Sequence, residues 1–176
     1  MIGREMLARY MKAHEDVVRE IQKTTGAKPE PYKNLEENLI LAYFNTFESK
    51  KEMNGLDFTA DILSSLVVDQ ALPNANHRTA LFFIGAMLKL NGIEIDTAVH
   101  SKVIQEYFLD SKHILKKARK NYKEQHIALT KTFLKEILGS AQSGRLGRIF
   151  AYSLMNSFAA SSKDIGFLGG SAMDKE

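Results

Sequence analysis

The sequence predicts an all-α bundle, and two observations favour this fold class. Apolar residues recur at helical spacing through nearly the whole chain, and the stretches between these segments are short and rich in Gly, Pro and Asn. The 176 residues are 44% hydrophobic, which is enough for the core of a single domain. The stretch Ile93-Glu94-Ile95 is a candidate for extended backbone, but it is too short to form more than one β-bridge. We therefore expect helices from the first residues to near the C-terminus.

Three helices are predicted in the first 73 residues. Apolar positions from 7 to 21 follow helical spacing, and Gly26 is a suitable stop. Asn34 is expected to cap a second helix, and Asp57 a third. Pro73 is expected to end the third helix, because proline disfavours helical backbone at the residue before it.

Four further helices are predicted, each bounded by Asn, Gly or a polar run. They cover about residues 76–90, 97–109, 111–138 and 144–160. The last is apolar on most sides, so we expect it to be buried against the body of the protein or against a second copy. Its large apolar side chains are Leu146, Ile149, Phe150, Leu154 and Phe158. The sequence thus divides into a core (1–98), C-terminal helices packed on it (99–160) and a flexible tail (161–176).

Composition excludes several classes of site. The chain has no Cys, so it can form neither a disulfide nor a thiolate nucleophile. Its start lacks an apolar signal core, and its longest apolar run, 80–88, is far short of a membrane span. These features predict a cytoplasmic protein without a membrane partner. The formal charge of +3 slightly favours nucleotide or acidic partners. A basic stripe on the long helix is typical of a solvated face, so nucleic acid is not the favoured partner; it comprises Lys112, Lys116, Lys120 and Lys123.

The stretch Asn74-Ala75-Asn76-His77-Arg78 lies between two apolar helical segments and is suited to holding an anion. Asn74 and Asn76 are turn and cap residues, and Ala75 lets a ligand approach the backbone. Arg78 falls in the first turn of the following helix, where unpaired amides and the helix dipole favour negative charge. On spacing alone, a capped turn with a solvated Arg is an equal alternative.

The run Gln70-Ala71-Leu72-Pro73-Asn74-Ala75-Asn76-His77-Arg78 resembles the Fic/Doc (Fido) family motif, His-x-Phe-x-(Asp/Glu)-(Gly/Ala)-Asn-(Gly/Lys)-Arg. Thr79-Ala80-Leu81 and the continuation to Ile95 resemble the Doc branch, and the clear resemblance covers about residues 57–96. It implies a Fic/Doc-like bundle with a C-terminal helical extension. It also implies that Asn76, Arg78 and backbone amides hold the phosphates of ATP or a related nucleotide with Mg²⁺.

Two departures from the motif bear on chemistry. In the family, the His accepts a proton from a target hydroxyl and the acidic residue binds Mg²⁺. Here Gln70 stands at the His position, and an amide has no useful basicity. Asn74 stands at the metal position, where its oxygen is an uncharged and therefore weak ligand. His77 occupies the Gly/Lys position, where a phosphate contact or plain exposure is favoured over a role as substitute base.

Three functions remain open. The first is a transferase that modifies a protein hydroxyl through an atypical site. The second is a pseudoenzyme that binds nucleotide or phosphate without transferring it. The third is a non-catalytic helical interaction module, as in a toxin–antitoxin pair, with a target or antitoxin-like partner or a homodimer through the C-terminal helices. The loss of the motif His favours the last two, and the retained Asn76 and Arg78 favour the second. The Lys50–Leu56 turn stands where the family often carries a target-binding flap, and an ordinary interhelical turn is the alternative.

Overall fold

The protein is an all-α bundle, as the sequence predicts. The computed structural model describes residues 2–117 and 120–161. These residues form seven α-helices and one 3-10 helix, Thr46–Lys50, without a β-strand. The α-helices are α1 (Ile2–Thr25), α2 (Glu37–Asn45), α3 (Gly55–Asp69), α4 (Asn76–Leu90), α5 (Ser101–Lys116), α6 (Tyr122–Gly147) and α7 (Ala151–Ala160). Over the described ranges, no helix is long and apolar enough to cross a membrane.

Helices α3 and α4 lie at the centre of the bundle. Helix α3 packs against α4 and α6, while α4 also contacts α1 and α7, and α5 packs on α6. An aromatic cluster with mostly edge-to-face contacts fills the interior. Its fully buried members are Tyr10, Phe44, Phe47, Phe58, Phe83 and Phe158. Because these rings come from both ends of the chain, one core joins the first helix to the last.

Arg9 of α1 ties the beginning of the chain to its end. Its guanidinium donates a hydrogen bond to the Ala159 carbonyl at 3.2 Å and another to the Ser161 carbonyl. The same group lies 5.0 Å from the centre of the Phe158 ring. These contacts satisfy carbonyls at the end of α7, which a helix end otherwise leaves unpaired.

The predicted starts of the second and third helices are wrong. Helix α2 begins at Glu37 instead of after Asn34, and no side chain caps it. The intervening backbone is held elsewhere, because the Glu36 amide donates to the Ala71 carbonyl at 2.9 Å. Asn54, and not Asp57, caps α3 by accepting a hydrogen bond from the Asp57 amide at 2.9 Å.

The predicted helix over 111–138 is also wrong, because the chain turns within it. Helix α5 continues to Lys116, and α6 starts at Tyr122 after Asn121, which has φ 79°. This turn places α5 beside α6, where Tyr107 and Phe133 stack with ring centres 4.1 Å apart. Gly139 does interrupt the helix, with φ 67°. The fifth helix begins later than predicted, because the Asp96 carboxylate first accepts two amides in a turn ahead of Ser101.

The predicted last helix over 144–160 is broken at Phe150, which has extended backbone. Here the chain pairs with the turn before α3. The Gly55 amide donates to the Ile149 carbonyl at 2.6 Å, and the Ala151 amide donates to the Met53 carbonyl at 2.9 Å. Phe150 consequently points outward, with 57% of its surface exposed. The predicted burial of the last helix is confirmed for Leu146, Leu154 and Phe158, while Ile149 is partly buried. Of the predicted tail, residues 162–176 lie outside the described residues.

Candidate functional site

A six-residue loop, Gln70–Ala75, connects α3 to α4 and holds the motif predicted from the sequence. Both of its ends adopt left-handed backbone without glycine. Gln70 has φ 44° and ψ 43°, and Ala75 has φ 53° and ψ 25°. Each such residue costs roughly 1–3 kcal/mol and persists only where its surroundings enforce it, and this kind of strain is concentrated at functional sites. The loop is therefore held in a shape that local backbone preference does not favour.

Asn76 enforces that shape with its side-chain amide. Its Oδ1 accepts a hydrogen bond from the Leu72 amide at 2.9 Å, and its Nδ2 donates to the Leu72 carbonyl at 3.0 Å. The second Nδ2 hydrogen is donated to the Tyr32 hydroxyl. Asn76 is only 3% exposed. Its side chain thus closes the loop, and it has no free N–H for a phosphate in this arrangement.

Asn74 is buried beside it with one polar atom unpaired. Its Nδ2 donates to the Pro29 carbonyl at 3.0 Å, which fixes the orientation of the amide. Its Oδ1 is buried and has no hydrogen-bond partner among the described residues. Amide oxygens bind Mg²⁺ weakly, usually alongside carboxylates. Elsewhere in the described ranges, no cluster of three or more His, Asp or Glu side chains is placed to hold a metal.

Helix α4 begins without a capping side chain. Ala75 is the N-cap residue, and the first regular bond of the helix joins the Thr79 amide to the Ala75 carbonyl at 2.9 Å. The amides of Asn76, His77 and Arg78 have no partner in the described part of the chain. No acidic residue lies in this first turn, and Arg78 is exposed. The helix start is consequently electropositive.

His77 faces the interior of the bundle and not the open helix start. Its ring packs edge-on against Phe108 of α5, with centres 5.1 Å apart. Burial, and then the charges of Lys112 and His126, lower the pKa of His77 to about 4. Its Nε2 is buried without a hydrogen-bond partner among the described residues. At neutral pH the ring is therefore uncharged and offers a phosphate no electrostatic attraction.

Gln70, at the motif His position, is the half-buried residue that follows α3, and its side chain makes no hydrogen bond to another described residue. Its neighbour Asp69 is a titratable group that the sequence reasoning missed. Burial raises the pKa of Asp69, Lys123 at 3.9 Å opposes that shift, and Glu36 adds to it. The sequence contained one signal, a carboxylate directly before the motif position.

A buried polar network behind the loop was also missed. His126 of α6 is fully buried, and its Nδ1 lies 2.8 Å from Oγ of Ser64. Thr130 donates to the His126 carbonyl and lies 2.9 Å from the Tyr107 hydroxyl. Burial lowers the pKa of His126 to about 4. The network joins α3, α5 and α6 beneath His77, whose pKa responds to His126.

The sequence model of a family of unknown function, DUF8172, matches residues 2–131. The chain belongs to this DUF8172 family. The match includes the whole Gln70–Ala75 loop and the start of α4, and it ends inside α6. No curated protein and no solved structure matches the chain. The DUF8172 region therefore contains the candidate site, while the second half of α6 and all of α7 lie beyond the matched residues.

Proposed function

We propose that this DUF8172 protein is a Fic/Doc-like protein that binds nucleotide or phosphate at the Asn74–Arg78 loop. Its protein-hydroxyl AMP- or phosphate-transfer activity is weak or lost. The observation that supports binding is the uncapped start of α4, where three free amides lie beside an exposed Arg78. Because Arg78 has no carboxylate partner among the described residues, its charge remains available to an anion.

Further positive charge lies near His77, in the first turn of α4. Lys112 of α5 is close enough to lower the pKa of His77, the residue beside Arg78. Lys112 makes no ion pair within the described ranges, so it adds to the attraction for an anion.

Lys28, in the segment that follows α1, places a further positive charge near His14. The His14 ring lies 3.3 Å from Oγ1 of Thr79 in the first turn of α4. Burial lowers the pKa of His14, Glu15 opposes that shift, and Lys28 adds to it. Lys28 is exposed. Lys28 and Glu15 thus bring opposite charges near His14, and Arg78 is the cation that the helix start itself carries.

The weak-transfer part of the proposal rests on chemistry at Gln70 and Asn74. Transfer to a hydroxyl is faster by roughly 10²–10⁴-fold with a positioned general base, and Gln70 provides none. Asn74 offers one buried amide oxygen and no charge to Mg²⁺. Binding without efficient turnover follows from this combination.

A second candidate function is a non-catalytic helical interaction module. Phe150 and Tyr152 are both more than half exposed, and they are two positions apart where the chain pairs with the turn before α3. Exposed aromatic side chains are enriched at protein interfaces. A target, an antitoxin-like protein or a second copy are the partners this candidate implies. The Lys50–Leu56 turn is already hydrogen-bonded to residues 149–152, so it is not a free flap.

The experiment that tests binding compares two arginines in equivalent positions. Arg78 and Arg4 are both exposed and both lie in the first turn of a helix. We expect calorimetric titration with ATP and Mg²⁺ to show binding by the natural protein, and Arg78→Ala to weaken it about tenfold or more. Arg4→Ala should bind as the natural protein does. Equal affinity of both variants would contradict the assignment of the site.

Transfer is tested separately with α- and γ-labelled ATP and a cell lysate. We expect little label on protein in either case. Strong label transfer by the natural protein would show that Gln70 does not disable the site.

A further inference from the structure

A strap, residues 27–36, crosses the Gln70–Ala75 loop between α1 and α2. Two backbone hydrogen bonds hold it there. The Tyr32 amide donates to the Pro73 carbonyl at 3.0 Å, and the Glu36 amide donates to the Ala71 carbonyl at 2.9 Å. The strap therefore adds an irregular layer on top of the loop without forming a helix or strand.

The strap also occupies the side-chain amides of the two motif asparagines. Asn74 donates to the Pro29 carbonyl at 3.0 Å, and Asn76 donates to the Tyr32 hydroxyl. These are the amide N–H groups closest in sequence to the open helix start. With the strap in place, Asn76 has no side-chain N–H left for a ligand, and one of the two Asn74 hydrogens is bound to Pro29.

The strap itself is weakly anchored. None of its residues is buried, whereas Leu72, Asn74 and Asn76 beneath it are. Tyr32 makes the hydroxyl contact while 60% of its surface stays exposed. Gly26, with φ 75°, precedes the strap and has open space around it. Segments with few buried apolar contacts open at a fraction of the free energy of global unfolding.

We propose that the strap is a releasable cover over the Gln70–Ala75 loop. When it lifts, one further N–H of Asn74 and one N–H of Asn76 become free to donate to an oxyanion, while the other Asn76 hydrogen bonds still close the loop around Leu72. That an oxyanion enters the opened loop rests on the proposed function, whereas the opening of the strap does not depend on it.

Opening is measured on the full chain without a ligand. We expect the Tyr32 and Glu36 amides to exchange with deuterium faster than amides in the centre of α3, because they open locally. Tyr32→Phe removes the hydroxyl contact, and we expect it to accelerate this exchange about fivefold, the effect of one hydrogen bond. Tryptic cleavage after Lys33 should accelerate by a similar factor, whereas Lys28 is protected by the following Pro29.

Tyr152→Phe is the matched control, because Tyr152 is similarly exposed and belongs to α7, where its amide is bonded to Lys51. It should leave exchange and cleavage in the strap unchanged. The inference is overturned if the Tyr32 and Glu36 amides exchange no faster than those of α3, or if Tyr32→Phe has no effect on them.

A second measurement separates this inference from the proposed function, with tripolyphosphate as the probe. We expect Tyr32→Phe to bind it about fivefold more tightly than the natural protein. Opening without binding by either protein would support the strap and contradict the proposed anion site. Equal binding by both proteins would show that the strap does not cover the site, and would overturn the inference alone.

Discussion

Acidification should destabilise the protein through two histidines, His77 and His126, whose rings are held uncharged inside the bundle. The pKa values of His77 and His126 are both lowered from 6.5 to about 4 in the folded protein. An unfolded chain therefore binds more protons than the folded one once the pH falls below 6.5. The stabilisation by the neutral rings is complete above that pH and is lost progressively down to about pH 4.

The magnitude follows from the size of the shift. Between pH 6.5 and pH 5 each histidine lowers the unfolding free energy of the protein by up to about 2 kcal/mol, because one pKa unit corresponds to about 1.36 kcal/mol. Both together give up to about 4 kcal/mol, a large part of the stability of an ordinary domain. Burial keeps both rings neutral, and at His77 the nearby Lys112 charge lowers the pKa further.

Urea unfolding at pH 7.5 and pH 5 measures the effect. The difference in unfolding free energy between the two pH values should fall by about 2 kcal/mol in His126→Gln, because glutamine does not titrate. His113 is exposed, so His113→Gln should keep the pH dependence of the natural protein. If His126→Gln keeps it as well, the buried rings are not the origin of the acid sensitivity.

Three further outcomes follow from the structure. Asn76→Ala should lower the unfolding free energy by about 2–3 kcal/mol in urea titrations, because two buried backbone groups lose their partners. Phe158→Ala should cost about 3–5 kcal/mol by the same assay, whereas Phe150→Ala should change stability by less than about 0.5 kcal/mol, since its ring is exposed. Gln70→His should raise label transfer from ATP only partly, and Gln70→His with Asn74→Asp should raise it further; equal activity in both would remove the metal argument.

The elements predicted most accurately are those whose ends are encoded locally. Helix α4 has the predicted limits, because a long apolar run is followed by Asn91-Gly92. Gly26 and Gly139 interrupt helices as predicted, with positive φ. The breaks after Lys116 and before Ala151 have weaker local signals, which are Asn121 and Gly147. They depend on partners distant in sequence, and residue spacing does not reveal those partners.

The site shows the same division. The position of the loop and the place of Arg78 in the first turn of α4 could be predicted, because both follow from local helix signals. The occupation of the Asn76 amide by Tyr32 could not, because those residues are 44 positions apart. His77 was equally misleading, since its burial depends on Phe108 from another helix.

The contact of Arg9 with the end of α7 has a consequence for the order in which the protein folds during synthesis. The Arg9 side chain and the Ala159 carbonyl that it binds are 150 residues apart in sequence. A ribosome releases α1 long before α7, so part of the apolar face of α1 stays exposed to solvent until α7 has been synthesised. Contacts of such long sequence separation form late and slow the final step of folding. Completion of the core is therefore tied to the emergence of the last helix, and a nascent chain stalled before Ala151 is a candidate for recognition by chaperones.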